Sequence, residues 1–251
     1  MYDPDKYGRA TIVERRDLGP ELWMLRLQPE VELPFRPGQY VTLGLQLNGR
    51  IIERPYSIVS APQEDAIEIF IERVPEGELS QPLYDLALGD ALAVRKRCKG
   101  LFLKDLPLAQ QPHLFVATVT GVAPFVSLVR SLARDPDRSE LSGDFSVTLL
   151  HGASRSHEFG YVEELSELSQ QLSWFSYVPT VSRPAEEPDW TGEVGRVEDV
   201  LRKYADKIEF GPGHGGVYLC GNPQMIHNAR TIMRRRRLDN KAIREEQYWP
   251  D

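Results

Sequence analysis

The spacing of hydrophobic and polar positions changes along the chain and predicts two kinds of architecture. In the first hundred residues, short apolar or alternating runs are separated by turn residues. Residues 67–72 alternate with a period of two for most of their length, and residues 22–27 and 40–45 have a similar strand character. A helical patch at 80–88 interrupts them, with Ser80 as its expected N-cap. Short strands at this spacing predict an antiparallel β-barrel or sandwich.

The second half alternates between buried strands and helices. Continuous apolar runs suit strands that are covered on both faces, and stretches of helical periodicity separate them. The predicted strands are 113–118, 146–151, 174–181 and 217–220, and the predicted helices are 122–132, 158–172, 198–204 and 224–237. Such alternation implies a parallel sheet with helices on both faces. We therefore predict an antiparallel β-barrel over residues 1–100 and a parallel α/β nucleotide-binding domain over residues 101–251, linked at about 98–112.

Composition narrows the class of protein. The 251 residues are 41% hydrophobic and 27% charged, which is ordinary for a globular chain and excludes overall disorder. No stretch approaches the ~20 apolar residues that cross a bilayer, and the N-terminus lacks the apolar core of a signal peptide, so we expect a cytoplasmic protein. The two cysteines, Cys98 and Cys220, are too few for an all-cysteine zinc site or a four-cysteine iron–sulfur site. Redox chemistry here would therefore use an organic cofactor.

The charge is unevenly distributed. A net charge of −7 argues against general nucleic-acid binding, which prefers a basic domain. Two basic clusters are nevertheless present, Arg95, Lys96 and Arg97 in the first half and Arg234, Arg235, Arg236 and Arg237 in the second. They are either solvated charges at the ends of elements or docking charges for an acidic partner.

Five short segments carry residues suited to cofactor chemistry. Residues 54–57 (Arg-Pro-Tyr-Ser), at the expected start of a strand, offer a guanidinium fork for a diphosphate, an aromatic face and a hydroxyl. Residues 77–80 (Gly-Glu-Leu-Ser) form a glycine turn before a helix, where a phosphate could bind. Residues 118–125 join a buried strand to a helix through small residues, as a pyrophosphate loop does. Residues 220–223 (Cys-Gly-Asn-Pro) end the last buried strand, and residues 245–249 (Glu-Glu-Gln-Tyr-Trp) bring two aromatics near the C-terminus.

Each segment also has an ordinary structural interpretation. In the same order, these are a strand with one charged end, a capped helix, a plain βα turn, a small buried cysteine and a hydrophobic tether.

Taken in order, the five segments resemble the ferredoxin–NADP reductase family, and most closely its bacterial ferredoxin (flavodoxin)–NADP reductases. The matching pattern is Arg-x-Tyr-Ser, Gly-x-Leu-Ser, Thr-x-Thr-Gly-x-Ala-Pro-Phe, Cys-Gly-Asn-Pro and a terminal Glu-x-Tyr-Trp, and the similarity covers about residues 7–249. The resemblance implies an FAD-binding barrel followed by an NADP-binding α/β domain. It also implies hydride transfer between NADP(H) and the flavin, coupled to one-electron exchange with ferredoxin or flavodoxin.

The resemblance assigns residues to FAD. It pairs Arg54 with the diphosphate, lays Tyr56 on one face of the flavin and puts Ser57 near flavin N5. It also places Tyr248 on the other flavin face and Trp249 on the adenine. The other expected FAD contacts are Pro55, Glu72, Val74, Gly77, Leu79, Ser80 and Thr120.

The resemblance also assigns residues to NADP. The expected contacts are Thr118, Gly121, Ser182, Arg183, Arg196, Cys220, Gly221 and Pro223. Arg183 and Arg196 match positions that read the 2′-phosphate, and arginine rather than an acid at the ribose is typical of NADP binding. In agreement, residues 151–155 carry no acid near the end of their strand.

Four residues are the expected catalytic groups, namely Ser57, Cys220, Glu246 and Tyr248. By the resemblance, Cys220 and Glu246 lie near the nicotinamide, where Glu246 could support charge or proton movement. Tyr248 would move aside for the nicotinamide and so act as a gate.

The chain departs from the family pattern at two points. The family usually has glycine at the position of Val119, and valine resists unusual φ values and crowds the loop. We therefore expect an altered loop or weaker NADP binding. Pro250 and Asp251 extend beyond the Tyr-Trp pair that often ends such chains, and this extension could alter how Tyr248 yields to nicotinamide.

Two alternative functions stay open at this stage. One is an NAD(P)H-dependent flavoprotein reductase component of an oxygenase system, which usually carries a fused iron–sulfur domain; two cysteines do not provide one. The other is a non-catalytic flavin-binding module. We expect a monomer that binds neither nucleic acid nor a membrane.

Overall fold

The protein consists of two compact units. The structure is a computed structural model, and it describes residues 3–108, 111–136, 145–208, 210, 215–236 and 238–248. The first unit contains the described residues up to Lys104 together with Ala123–Arg134, and the second contains those of Asp105–Val122 and Asp135–Trp249. Each unit holds one six-stranded sheet.

The sheet of the first unit is antiparallel. Its strands are β1 (Tyr7–Asp17), β2 (Leu22–Pro29), β3 (Tyr40–Leu47), β4 (Arg50–Ser57), β5 (Ile67–Glu72) and β6 (Ala91–Arg95). They lie in the order β4-β3-β6-β1-β2-β5. Ile58, just after β4, bridges Ile69 of β5, and the N–H of Val59 donates to the carbonyl of Glu68 at 2.8 Å. These contacts join the two outer strands, so the predicted antiparallel barrel is confirmed.

The barrel core follows from the alternation of apolar side chains along the strands. Trp23 and Leu25 of β2, Leu43 of β3 and Ile69 of β5 are fully buried in one cluster. Burying side chains of this size contributes roughly 1.5–3 kcal/mol each. The core therefore holds the strand ends that carry the candidate site in fixed register.

The helix after β5 is shorter than predicted. This helix, α1, spans Ser80–Tyr84, and Leu79 occupies the N-cap position without a side-chain hydrogen bond. The hydroxyl of Ser80 instead accepts from the N–H of Val74 at 3.1 Å and donates to its carbonyl at 3.3 Å. The prediction of Ser80 as the N-cap is therefore wrong, because its hydroxyl closes the preceding turn.

The sheet of the second unit is parallel throughout. Its strands are β7 (Pro112–Thr118), β8 (Ser146–Ala153), β9 (Phe175–Val181), β10 (Glu193–Val194), β11 (Gly216–Gly221) and β12 (Ile243–Gln247). The remaining helices are α2 (Ala123–Ala133), α3 (Val162–Gln171), α4 (Val197–Ala205) and α5 (Pro223–Arg235), of which α2 groups with the first unit. The predicted parallel α/β architecture is confirmed. The strand β12, with the polar sequence Ile-Arg-Glu-Glu-Gln, was not predicted.

The strand order fixes where a ligand can bind in the second unit. The order is β10-β9-β8-β7-β11-β12, so the chain runs outward from β7 in one direction and then continues on its other side with β11. In open parallel sheets, ligands bind outside the carboxyl ends of the strands at such a reversal. The candidate residues after β7 and β11 lie at this point. In the part of the chain that the structure describes, no helix has the length and apolar character needed to cross a membrane.

Candidate cofactor sites

The loops after β7 and β11 lie directly against each other. Gly221 has a φ of +123°, and a Cβ added there would lie 2.3 Å from the Oγ1 of Thr118. A Cβ added at Gly121 would lie 2.4 Å from the carbonyl oxygen of Cys220. Both positions need glycine, because only glycine permits this approach of backbone to backbone. The structure thus brings together four of the residues predicted to bind NADP.

The start of α5 anchors this arrangement. The backbone N–H of Asn222 donates to the Oγ1 of Thr118 at 2.8 Å. The Asn222 side chain accepts from the N–H groups of Gln224 and Met225 at 2.8 and 3.2 Å, which makes it the N-cap. Pro223 is the first residue of α5, where its fixed φ suits a helix. The segment Cys-Gly-Asn-Pro is therefore a helix start attached to the end of β7.

The C-terminal strand brings three predicted catalytic residues together. Glu246 pairs in register with Cys220, and the N–H of Tyr248 donates to the carbonyl of Gly221 at 3.3 Å. The Tyr248 hydroxyl lies 3.4 Å from the carbonyl oxygen of Thr120, to which it donates, and its side chain also hydrogen-bonds Cys220. Tyr248 thus contacts both the pyrophosphate-type loop and the end of β11.

Cys220 is fully buried, and it is a neutral thiol. Burial raises the pKa of the thiol well above its ordinary value, and the carboxylate of Glu246 acts in the same direction. The hydrogen bond with Tyr248 lowers the pKa but offsets these effects only in part. A thiol with a raised pKa is a poor nucleophile at neutral pH, so Cys220 suits a packing or hydrogen-bonding role rather than covalent catalysis.

The arginines predicted for the 2′-phosphate follow β9 and β10: Arg183 comes two residues after β9, and Arg196 comes two residues after β10. The N–H groups of Ser182 and Arg183 donate to the carbonyls of Ala153 and Ser154 at 3.0 and 3.1 Å, so the chain after β9 follows the end of β8. Arg196 occupies the N-cap position of α4, with extended backbone. The N–H of Gly195, the residue before Arg196, donates to the carbonyl of Val181 at the end of β9.

Residues 151–155 themselves carry no acid, but the fold brings Glu158 to the end of β8. The carboxylate of Glu158 accepts from the N–H of Ser154 at 2.8 Å, because the chain after β8 turns back on itself. Glu186 lies 2.6 Å from Arg155 and 3.6 Å from Arg183. Arg155, which sequence reasoning missed as a site residue, is therefore part of the same charged cluster. An arginine two residues beyond a buried strand was the available signal.

In the first unit, the Arg-Pro-Tyr-Ser segment ends β4 rather than starting a strand. The expected start of a strand at Arg54 is wrong, because the turn at Asn48 and Gly49 leads into the strand at Arg50. Tyr56 is partly buried against the barrel core. Pro55 is exposed, and its strand, β4, is an outer strand of the sheet. Proline is tolerated there because an outer strand need not donate from every residue. Ser57 is buried at the end of the same strand.

Arg54 reaches the turn that precedes α1. Its guanidinium donates to the carbonyl of Glu53 at 3.0 Å and to the carboxylate of Glu78 at 3.3 Å. In that turn, the N–H of Gly77 donates to the carbonyl of Val74 at 3.0 Å, and a Cβ on Gly77 would lie 2.5 Å from the Oγ of Ser80. The structure therefore brings together two of the predicted FAD segments.

Glu72 and Trp249 are two further residues that were predicted to contact FAD. Glu72 ends β5 with its side chain exposed, in register with Leu22. Trp249, together with Pro250 and Asp251, lies outside the described residues.

The predicted docking charges differ in their surroundings. Arg95 forms a hydrogen-bonded ion pair with Glu53, to which the Tyr7 hydroxyl also donates at 2.7 Å. These hydrogen bonds, led by the one from Arg95, lower the pKa of Glu53 to about 2. The charge of Arg95 is thus largely compensated, whereas Lys96 and Arg97 are exposed.

The second basic cluster lies at the end of α5. Arg234 and Arg235 belong to its last turn, and Arg236, which follows, pairs with Asp206. All three arginines are exposed, and Arg237 lies outside the described residues.

Both halves of the chain match known domain families. Residues 9–101 match the oxidoreductase FAD-binding domain, and residues 115–231 match the oxidoreductase NAD-binding domain. The ferredoxin–NADP reductase of Pseudomonas aeruginosa is 31% identical over 215 residues, which cover 80% of this chain and 79% of that protein. The chain belongs to the ferredoxin–NADP reductase family. The predicted family, the two-part fold and the class of FAD-dependent oxidoreductase are thereby confirmed.

Two further proteins place this member of the ferredoxin–NADP reductase family among its relatives. A ferredoxin NADP+ reductase from Neisseria gonorrhoeae, crystallised with FAD and NADP, has a TM-score of 0.83 at 24% identity, with 97% of this chain and 99% of that chain covered. The phenol hydroxylase P5 protein of Acinetobacter pittii is 29% identical over 255 residues, which cover 98% of this chain and 68% of that protein.

Proposed function

We propose that the protein is a ferredoxin (flavodoxin)–NADP+ reductase, with an FAD-binding domain over residues 1–100 and an NADP-binding domain over residues 101–251. The observation that carries this proposal is the contact of the loop after β7 with the end of β11. There two glycines without room for a side chain lie at the carboxyl ends of parallel strands, and Tyr248 contacts Gly221 and Thr120. This is where dinucleotides bind in such sheets.

The residues of the first unit fit the diphosphate of FAD. The Arg54 guanidinium contacts Glu78 in the turn at 77–80, so a forked cation lies next to the start of a helix. Both favour phosphate oxygens. Tyr56 offers an aromatic face and Ser57 a hydroxyl from the same strand. When bound, FAD supplies the conversion between the two-electron chemistry of a nicotinamide and the one-electron chemistry of a redox protein.

The residues of the second unit fit NADP. Thr118, Gly121 and Gly221 form the backbone surface on which a pyrophosphate would lie. Arg183 and Arg196, together with Arg155, offer cations for a 2′-phosphate, and they follow β9, β10 and β8 respectively. A 2′-phosphate would compete with Glu186 for two of these arginines, and its two negative charges favour it over a single carboxylate.

The residues near the proposed nicotinamide position orient it and control access. Tyr248 occupies the surface between Thr120 and Cys220, and it would move aside for the nicotinamide ring. Cys220 supplies a buried, neutral thiol beside this position. Glu246, its neighbour on β12, holds negative charge beside the site.

An acidic redox protein is the proposed partner, and the protein is proposed to act on it as a monomer. Ferredoxins and flavodoxins are acidic, and electrostatic steering brings such proteins to basic surfaces. Lys96 and Arg97 in the first unit are the exposed candidates, whereas Arg95 contributes less because Glu53 compensates it. The arginines 234–237 are the candidates in the second unit. If these charges dock the partner, raising the salt concentration should slow partner reduction more than flavin reduction.

A second candidate function is a reductase component of an oxygenase. The observation that favours it is the 29% identity to the phenol hydroxylase P5 protein along 98% of this chain. The deciding experiment measures NADPH-driven reduction of purified ferredoxin and of flavodoxin, each added separately. Rapid reduction of either supports the proposal. Flavin that NADPH reduces while both partners stay oxidised favours the oxygenase component.

A further inference from the structure

Val119 adopts a backbone conformation that its side chain disfavours. Its φ is +45°, in the left-handed region. Of the four described residues other than glycine with positive φ, namely Asn48, Glu76, Asp105 and Val119, only Val119 is β-branched. β-Branched residues in this region are genuine outliers and persist only where the surroundings impose the conformation. The loop therefore has the backbone that glycine would give it, and some contact must hold it there.

A buried histidine supplies that contact. His151 lies on β8, in register with Ala117 of the neighbouring β7, and it is fully buried. Its Nε2 lies 2.9 Å from the carbonyl oxygen of Val119, and its Nδ1 lies 3.0 Å from the hydroxyl of Tyr177. Burial lowers the pKa of His151 to about 4, so the ring is neutral at pH 7.

The partners of the ring fix its tautomer. A carbonyl only accepts, so Nε2 carries the proton and donates to Val119. In a neutral imidazole the other nitrogen then accepts, and the Tyr177 hydroxyl donates to Nδ1. The direction of both hydrogen bonds is thereby determined, and the ring holds one orientation.

The side chain of Val119 is held as well as its carbonyl. Its side chain packs against the cluster of Ala153, Phe159 and Val181. The Phe159 ring meets the His151 ring edge-on, with centroids 5.0 Å apart. One buried assembly thus fixes both the carbonyl and the side chain of Val119.

The bond to His151 sets the direction of the next N–H group. In a trans peptide the C=O and the following N–H point in opposite directions. Because the carbonyl of Val119 points at His151, the N–H of Thr120 points away from the buried ring. The residues on both sides of Val119 belong to the proposed dinucleotide site, since Thr118 is held by Asn222 and Thr120 is contacted by Tyr248.

We propose that His151 is a positioning residue for the dinucleotide, which holds the Val119 carbonyl inward so that the Thr120 N–H is presented to the pyrophosphate. This inference rests on the proposed function of the loop. The role is separate from any contact with the cofactor, because His151 is enclosed by Tyr177, Phe159 and the loop backbone.

A matched pair of variants tests the role in the flavin-loaded protein. The Nε2 of glutamine reaches about as far as the Nε2 of histidine, whereas the amide of asparagine stops at the position of Nδ1. We expect His151→Asn to weaken NADP+ binding about tenfold by calorimetry, and His151→Gln to stay within about twofold of the parent. Binding of 2′-AMP, which has the 2′-phosphate and no pyrophosphate, should change less than about twofold in both variants. Equal weakening of NADP+ and 2′-AMP would overturn the proposal, because a general structural defect would act on both.

The substitution Val119→Gly tests the role of His151 independently. Glycine takes positive φ without support, so His151→Asn should weaken NADP+ binding less than about threefold when Val119→Gly is also present. This double variant also covers the case in which His151→Asn alone does not fold. A double variant that does not fold, or that loses the full tenfold, contradicts the proposal. If the parent protein binds neither NADP+ nor 2′-AMP, the proposed function itself fails. If the parent binds both and His151→Asn binds NADP+ as well as the parent, only the role of His151 fails.

Discussion

The guanidinium of Arg54 donates to the carboxylate of Glu78 at 3.3 Å, so the residue proposed for the FAD diphosphate already holds an anion from its own chain. Arg50 also pairs with Glu78, at 3.0 Å. The carboxylate keeps Arg54 beside the turn before α1, and it would lie close to a bound diphosphate. If Arg54 binds the FAD diphosphate as proposed, Glu78 would compete with the cofactor for it.

Removal of this competition should tighten FAD binding. We expect Glu78→Gln to lower the dissociation constant of FAD about threefold, because the amide releases Arg54 and removes repulsion from the phosphates. The dissociation constant is measured from the quenching of flavin fluorescence when FAD is titrated with the apoprotein. Glu30→Gln is the matched control, since Glu30 is an exposed acid of the same unit that pairs with Arg9. Weaker FAD binding in Glu78→Gln would show that the carboxylate orients Arg54 rather than competing for it.

Removal of the Tyr248 ring should tighten NADP+ binding. Tyr248→Ser vacates the surface beside Cys220 and Thr120, and we expect the dissociation constant of NADP+ to fall about tenfold. Tyr248→Phe keeps the ring and loses the hydrogen bond to Thr120, so its affinity should stay near that of the parent. Calorimetric titration compares the three proteins. Unchanged affinity in Tyr248→Ser would exclude a gating role.

Specificity for the phosphorylated dinucleotide should depend on Arg183. We expect Arg183→Ala to raise the KM for NADPH about tenfold and to leave the KM for NADH unchanged, since only NADPH has the 2′-phosphate. Arg202→Ala, an exposed arginine on α4, is the control. Steady-state kinetics with NADPH and with NADH measure both KM values in each variant. Parallel losses with NADPH and NADH would place Arg183 away from the 2′-phosphate.

The ion pair of Glu53 and Arg95 should appear in the pH dependence of stability. The pKa of Glu53 in the folded protein is about 2, below the ordinary value of 4.5. The stabilisation is therefore complete above about pH 5 and is lost as the pH falls through 4.5 towards 2. We expect Glu53→Gln to lower the free energy of unfolding by about 1 kcal/mol at neutral pH, with a difference that shrinks in this acid range. Urea denaturation at several pH values measures it. A constant difference would mean that the ionised form is not what stabilises the fold.

The sequence predicted most of the architecture because the signals are local. The alternation over residues 67–72 and the apolar run over 113–118 are both local strand signals, and both strands appear where they were expected, although β5 is buried on both faces from Ile67 to Ile71. The strand β12 gave no such signal. Its residues are mostly polar and partly buried, and their strand conformation comes from pairing with β11.

The sequence predicted less of the site, because the missing parts depend on contacts between distant residues. Pattern alone does not show that the Glu158 carboxylate turns back to Ser154. Val119 was expected to disturb the loop because valine resists positive φ. The structure shows that it takes positive φ, held by His151 from thirty-two positions later in the chain. No local property of either residue reveals that support.

Anaerobic stopped-flow mixing of the flavin-loaded protein with NADPH and, separately, with NADH tests the proposed function. We expect NADPH to bleach the flavin absorbance rapidly and NADH to do so much more slowly, and we expect subsequent addition of oxidised ferredoxin or flavodoxin to restore the absorbance. A flavin that remains oxidised with both nucleotides would refute the proposed function, and equal rates with NADPH and NADH would refute the preference for NADPH.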